Sequence, residues 1–317
     1  MSPTAQSKDK LTNDHSIDLS IIIVSYNTCK VTKNCIESVL KSMETSTLTY
    51  EIVLVDNNSQ DGSVAMIQQY NRQYDQLFTL LLNSDNRGFG AANNQGLRKA
   101  KGEYVLLLNS DTVVLDRAIT TLYDFAQSNP NKHFLGAKLL NADMSAQDSA
   151  GPNYSLPVVF VHLLMFGDRW PLWRITRFSP NTIKKVGWVS GACILTKRDY
   201  LIKLDGFDEQ IFMYMEEIDL LYRAQKNDQT IYFYPQARFI HLGSASSKSA
   251  NKRTDPILQV YRGLLYYYKK HHSHLDQVVL KSMLQFKSLA GILIGRLSRN
   301  TYLIKTYEQA RQLVTTY

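Results

Sequence analysis

Four clusters of short polar side chains punctuate the first third of the sequence: Ser25-Tyr26-Asn27, Asp56-Asn57-Asn58-Ser59, Asn83 to Asn86, and Asn109-Ser110-Asp111. Each follows a short apolar run. Asn, Asp and Ser are ordinary turn and cap formers, so loop chemistry alone explains any one cluster. Four in succession imply more. Asp111, beyond a buried run and near other strand-end carboxylates, suits a hard divalent cation such as Mg²⁺ or Mn²⁺, which takes oxygen ligands and bridges to phosphates. Asp56 could accept the N–H of a pyrimidine base or satisfy loop amides. A later acidic group, Glu216-Glu217-Ile218-Asp219, opens a segment of helical spacing. Carboxylates there either complement the helix dipole or take a proton as a general base. Asp219 reads as structural, because Arg223 one turn later is spaced to pair with it.

These clusters need a scaffold that brings them to one edge. The stretches 19–26, 51–56, 77–82 and 104–109 are β-rich apolar runs of the kind buried on both faces of a parallel sheet. Between them, 28–43, 62–74 and 90–100 carry helical spacing. The order β-α-β-α-β-α-β predicts a doubly wound α/β sheet, in which ligands bind outside the carboxyl ends of the strands. The polar clusters stand at those ends. Beyond Asp111, helices are expected over 116–128 and from about 216 to 226, and strands over 133–140, 188–197 and 230–235; residues 141–185 read as irregular. The glycine-rich stretch NRGFGAANNQG (86–96) has Asn93 where a dinucleotide fingerprint needs glycine, which argues against a nicotinamide or flavin site. Its glycines could still let backbone approach a phosphate or sugar.

The net charge of +8 is unevenly placed: residues 251–317 hold 11 Lys/Arg against 3 Asp/Glu, while the rest of the chain is balanced. No zinc-finger, basic-zipper or RNP-like pattern accompanies this basic tail, so no nucleic-acid partner is expected. Residues 277–297 instead place Val279, Met283, Phe286, Ala290, Leu293 and Leu297 on one helical face, with Lys281, Ser282, Gln285 and Ser288 largely opposite. That face either docks on the main domain or lies on a membrane surface, as could the interfacial stretch 156–177. Cys29, Cys35 and Cys193 form no C-x-x-C pair or even framework and read as core thiols in a reducing compartment. Residues 1–18 are polar and carry no signal-peptide apolar region, so a cytoplasmic protein is expected, peripheral on the inner face of the plasma membrane if the tail's apolar face meets lipid and not the domain.

One resemblance joins these motifs. The ordered set SYN (25–27), DNNS (56–59), N-x-GFG-x-x-NN-x-G (86–96), LLLNSDT (106–112), GACILTKRDYLIKLDGFDE (191–209), MEEIDLLYR (215–223) and HLGSAS (241–246) resembles a family 2 glycosyltransferase of the GT-A fold, most similar to its rhamnosyltransferase-like branch. The resemblance implies a GT-A catalytic domain over 19–246, a Rossmann-like mixed sheet flanked by helices; outside it, composition leaves 1–18 as a flexible polar N-terminus and 247–317 as a basic amphipathic helical tail. It implies an inverting transferase using a nucleotide-diphospho-sugar, with dTDP-L-rhamnose the leading donor and a UDP-hexose or UDP-N-acetylhexosamine the next. A lipid-linked or glycan acceptor in cell-surface polysaccharide synthesis follows. By the same resemblance Asp56, Ser25 and Asn27 line the base pocket, and Asn93 lies along the nucleotide sugar. Asn109 and Asp111 occupy the D-x-D-type motif, with Asp111 and His241 as metal ligands. Glu217, or its neighbour Glu216, takes the place of the catalytic base. Asn109 and Glu217 depart from the family pattern, which keeps open a catalytically silent nucleotide-sugar binder.

Overall fold

The computed structural model describes residues 17–164, 176–243 and 256–317. The polar segment 1–16, residues 165–175 of the interfacial stretch, Ser244 to Ser246 of the late histidine motif and residues 247–255 lie outside the described residues. The first half alternates as the apolar runs require: β1 Leu19–Ser25, α1 Cys29–Met43, β2 Tyr50–Asp56, α2 Ser63–Gln73, β3 Phe78–Leu82, α3 Phe89–Lys99 and β4 Tyr104–Asn109. Ile21, Ile22, Ile23, Val53 and Leu54 have no solvent exposure, so both faces of the strands are covered and the strands read as continuous rather than alternating runs. β1 lies between β2 and β4, parallel to both, with Ser25 opposite Asp56 and Val24 opposite Asn109. The chain therefore turns from one side of β1 to the other between β3 and β4, which makes the β1/β4 edge a topological switch point. Gly96 permits the tight seating of α3 on the sheet: a Cβ there would lie 2.5 Å from Ile22 Cγ2.

The second half is mixed. Its elements are β5 Thr112–Val114, α4 Ala118–Ser128, β6 Phe134–Leu140, β7 Ala146–Gln147, β8 Ala150–Gly151, α5 Leu156–Leu164, β9 Lys184–Lys185, β10 Trp188–Val189, β11 Cys193–Lys197, α6 Arg198–Lys203, α7 Glu216–Lys226 and β12 Ile231–His241. The sheet order is β3-β2-β1-β4-β11-β6-β12-β5, with β11 antiparallel to both β4 and β6. The run 188–197, expected as one strand, is two: Trp188 and Val189 pair with β8, and only Cys193 onward joins the main sheet. β12 runs six residues past the expected end at Pro235, because a register shift between Tyr234 and Arg238 accommodates the proline, which has no N–H to give. That extension carries His241 to Thr112 on β5. Cys35 and Cys193 are buried thiols, while Cys29 is partly exposed.

Three helices complete the chain: α8 Pro256–His271, α9 His274–Leu297 and α10 Thr301–Thr316. α8 is part of the main core, with Tyr261, Leu264, Tyr267 and Tyr268 buried. The Tyr268 hydroxyl donates to the Tyr154 carbonyl at 2.9 Å. Its C-terminal end is fixed by charge. Asp219 on α7 has no exposure and meets Arg223 Nε at 2.7 Å, Lys270 Nζ at 2.8 Å and His271 Nε2 at 2.7 Å. Burial alone would raise its carboxyl, but the His271 hydrogen bond, the Arg223 charge and Lys270 outweigh it and hold the group well below the usual carboxylate range. Lys270 and the Tyr266 hydroxyl also reach Asp208, at 2.6 and 2.8 Å.

α9 docks by a different face from the one its periodicity suggests. The buried residues are Leu280, Leu284, Ser288, Gly291, Ile292 and Gly295, whereas Phe286, Leu293 and Leu297 are exposed. Small residues decide it: a Cβ at Gly291 would meet the Tyr307 ring at 2.3 Å, so α10 packs directly on the helix backbone there, and the Ser288 hydroxyl is satisfied by the Leu284 carbonyl at 2.8 Å. By length and composition α9 could cross a membrane, although no single apolar run in the sequence is that long; its docked face holds it against the domain instead.

Asp219→Asn should lower unfolding free energy by about 3–5 kcal/mol at pH 7, since it leaves buried cations uncompensated. The carboxyl is depressed in the folded state, so its contribution is complete above the unfolded value of about 3.9 and is lost as pH falls through the folded value. Urea titrations of both proteins should therefore differ most near neutrality and converge in acid.

Candidate active site at the strand ends

The loops after β1 and β2 are latched to each other. Asn27, in the left-handed region at φ 51°, donates its backbone N–H to Ser59 Oγ at 2.9 Å and accepts from the Gln60 N–H at 2.6 Å. Ser59 N–H in turn donates to Asp56 Oδ2 at 2.8 Å. The other carboxylate oxygen of Asp56 is buried with no hydrogen-bond partner. An acceptor in that state asks for a donor from a ligand. Ser25 is placed differently: its hydroxyl is fully buried within 3.4 Å of Thr28 and 3.2 Å of Thr32, and Thr28 continues to Ser110 at 3.3 Å. This hydroxyl chain ties the β1 loop to the β4 loop.

A second network sets the other side. Asn57 donates to Asn86 Oδ1 and to the Gly88 carbonyl, at 2.9 and 3.2 Å, and accepts from Asn83 at 2.9 Å. Asn93 is buried on α3, where its amide donates to the Phe89 carbonyl of its own helix at 3.0 Å. Asn94 does more: it accepts from Phe207 N–H at 2.8 Å and donates to the Phe207 carbonyl at 2.8 Å and Glu209 at 3.1 Å. Gly206, at φ +63°, would place a Cβ 2.2 Å from Asn94 Oδ1. The glycines of 86–96 also serve packing. Gly88, at φ +85°, lets the Phe212 carbonyl come within 2.6 Å of where its Cβ would be, and Phe89 N–H donates to that carbonyl at 3.3 Å. So the 206–212 loop is fastened over the start of α3.

Asp111, Asn109 and His241 meet at the β4/β5/β12 edge. His241 Nε2 is 3.3 Å from Asp111 Oδ1 and 3.4 Å from Asn109 Nδ2. Its Nδ1 is 2.7 Å from Gln147 Oε1, and Gln147 Nε2 donates to the Asn141 side-chain oxygen at 3.0 Å and the His241 carbonyl at 3.2 Å. Those two carbonyls fix the amide, so Nδ1 donates to Gln147 and the ring is held with Nε2 turned to the Asp111 carboxylate. Asn109 Oδ1 beside them is buried without a hydrogen-bond partner. A cation fits that donor set. Among the described residues no three His, Cys, Asp or Glu side chains form a metal cage, so Asp111 and His241 would supply only part of a coordination shell. Mg²⁺ and Mn²⁺ commonly complete such shells with substrate phosphates.

The acids of α7 follow two strained residues: Tyr214 at φ 62° and Met215 at φ 81° both occupy left-handed backbone. Non-glycine residues there cost of order 1–3 kcal/mol each and cluster at functional sites. Glu216 is buried, and its Oε2 has no partner. Burial, then the neighbouring Glu217 charge, pushes its carboxyl well above the usual range. Glu217 is half-buried beside Gly191; burial raises it too, opposed by backbone N–H groups that include Gly191 and by the Arg177 charge. Phe89 packs against Gly191 as well, so the start of α3 and the Glu217 side chain flank the same turn. Sequence reasoning had no handle on Gln147 or Arg177, which lie in the segment that read as irregular, and it passed over Asn94 in favour of Asn93.

The model of Glycosyl transferase family 2 matches residues 20–205. The N-acetylglucosaminyl-diphospho-decaprenol L-rhamnosyltransferase of Mycobacterium tuberculosis is 31% identical over 208 residues, 60% of this chain and 66% of the relative, so the match spans just under two thirds of that protein. A low-salt glycan biosynthesis hexosyltransferase of Haloferax volcanii is 26% identical across 68% of this chain and 64% of its own length. Among solved structures, a mannosyltransferase of Pyrobaculum calidifontis in complex with GDP-Man and Mn²⁺ superposes with a TM-score of 0.55 at 14% identity, covering 94% of this chain and 75% of that one. The mixed sheet, its polar carboxyl edge and the matched residues agree: the chain belongs to glycosyl transferase family 2 and has the GT-A fold.

Proposed function

We propose that this protein is an inverting transferase that moves a sugar from a nucleotide-diphospho-sugar, dTDP-L-rhamnose first among candidates, to a lipid-linked or glycan acceptor of a cell-surface polysaccharide. The observation that carries the reading is the convergence of Asp111 Oδ1 and His241 Nε2, 3.3 Å apart beside the partnerless Asn109 Oδ1, on a sheet edge that also carries the unsatisfied Asp56 oxygen. The rhamnosyltransferase among the relatives favours the donor and a lipid-diphosphate-linked acceptor. A UDP-hexose or UDP-N-acetylhexosamine is the next donor to test.

Asp56 Oδ1, buried without a protein partner, would accept an N–H from the pyrimidine, with Asn27 and the Ser25 hydroxyl chain holding the loops beside it. Asp111 and His241 would hold a Mg²⁺ or Mn²⁺ ion, whose positive charge stabilises the departing diphosphate. Asn109 adds a neutral oxygen, so Asp111 carries the formal charge. Glu217 takes the proton from the acceptor hydroxyl, because it retains exposure and Gly191 N–H orients it; a carboxyl raised by burial is a stronger base than an ordinary glutamate. Glu216, more deeply buried and with its carboxyl pushed well above the usual range by burial and the Glu217 charge, is the neighbour that shapes this environment.

Calorimetry with dTDP-rhamnose, UDP-glucose and UDP-N-acetylglucosamine, each with Mn²⁺, Mg²⁺ or chelator, tests the donor. Metal-dependent preference for dTDP-rhamnose supports the proposal, preference for a UDP-sugar moves it to the second donor, and binding without turnover on any acceptor favours a silent binder. Glu217→Gln should retain donor affinity while turnover falls about 10²–10⁴-fold. Gln147→Ala should weaken Mn²⁺ binding about 10–100-fold in a titration without donor, as loss of a supporting hydrogen bond to a ligating histidine does. Glu216→Gln should raise the urea midpoint above pH ~5. The folded carboxyl is raised above about 4.3, so the folded protein holds the extra proton and wild-type stability declines as pH rises through that window; the amide removes the decline.

A further inference from the structure

The outward side of α9 presents Leu275, Val278, Phe286, Leu289, Leu293 and Leu297 to solvent, each between 47% and 79% exposed. With Ser282 between them they form one unbroken line, stepping three or four residues at a time over the 24 residues of the helix. Solvated helices do not keep such a face without something to cover it. Three observations select the cover. First, the steps average about 3.7 residues, close to the 3.6 of a straight helix, so the line runs flat along the helix and does not wind as the 3.5-residue seam of a left-handed coiled coil does. Second, the exposed charges at its C-terminal end are Arg296, Arg299 and Lys305, while the only acids from 274 onward are Asp276, held in the Ser273 capping box at the opposite end, and Glu308. A second copy would bring like charges together; an anionic surface would be attracted. Third, a groove of about 580 Å³ between α9 and α10 opens beside Leu289 and Leu293 and is lined by Arg296 and Arg311 with Glu308. An apolar wall and two guanidinium groups lining one groove suit a phosphate headgroup with its acyl chain.

We propose that α9 lies in the plane of an anionic lipid bilayer, its Leu275-to-Leu297 line sunk among the acyl chains and Arg296, Arg299, Lys305 and Arg311 on lipid phosphates. The helix does not span: Leu280, Leu284 and Gly291 remain docked on the protein. The proposal deepens, and rests on, the reading that the acceptor is lipid-linked. Through α8, clamped to Asp219 two residues after Glu217, the bilayer plane would hold a set relation to the base.

The test is co-sedimentation of the full chain with vesicles of phosphatidylglycerol and phosphatidylcholine, or phosphatidylcholine alone. Light scattering runs in parallel, and donor calorimetry is an independent check on the transferase reading. Expected are binding to the anionic vesicles only, loss of at least tenfold for Phe286→Glu/Leu293→Glu, and about fivefold for each of Arg296→Gln, Arg299→Gln and Lys305→Gln. These side chains are exposed, so donor binding should be unchanged and shows that the variants are folded. A dimer that dissociates in Phe286→Glu/Leu293→Glu, with no vesicle binding, overturns the proposal in favour of a second copy. Vesicle binding indifferent to these substitutions also overturns it. Either result with donor binding intact leaves the transferase reading standing.

Discussion

Asp219 is a carboxylate with no solvent of its own, and the arrangement of the molecule depends on how its charge is met. Arg223 comes from the same helix, while Lys270 and His271 come from the C-terminal extension. Arg223 also donates to the carbonyls of Leu204 and Gly206, at 2.5 and 2.7 Å, so one guanidinium joins α7 to the loop that Asn94 anchors. Helix, loop and tail are thus satisfied together or not at all, because a buried ion pair that loses a member leaves the others uncompensated. α8 is thereby fixed to the rest of the domain through its C-terminal end.

At the strand ends the polar groups divide their work. Amides and hydroxyls at Asn57, Asn83, Asn86, Ser25 and Thr28 spend their hydrogen bonds on one another and hold the loops still. Asp56 Oδ1 and Asn109 Oδ1 are left without protein partners. Buried oxygens left in that state cost stability in a folded chain, as do Tyr214 and Met215 in left-handed backbone ahead of the acids of α7.

The parallel half was legible because its strands are covered on both faces and therefore announce themselves as unbroken apolar runs. β5 was not, since three residues carry no period, and β11 blended into β10 because both are apolar. Among the candidate site residues, the acids Asp56, Asp111, Glu216 and Glu217 stood out in the sequence beside apolar runs. Gln147 was not, because its role exists only through the pairing of β7 with β6 beside β12. On α9 the helical period correctly implied an amphipathic element but could not say which side was inward. Gly291 and Gly295 settled that by permitting close approach, an effect of missing atoms that a hydrophobicity pattern does not register.

The insertion of β11 between β4 and β6 also sets an order of events. A chain emerging from its N-terminus can pair β1 to β4 using local crossovers, but β4 then waits some eighty residues with one edge unpaired until Cys193–Lys197 arrive. β6 pairs nearby only with β7, at Leu139 and Leu140, and the rest of it waits for β11 and β12. Contacts of such sequence separation form late and slowly, and an open apolar edge is the surface on which chains associate wrongly. The strand that completes the sheet is therefore also the step at which a nascent copy of this protein is most exposed to aggregation, and the interval is set by the length of the segment between β6 and β11.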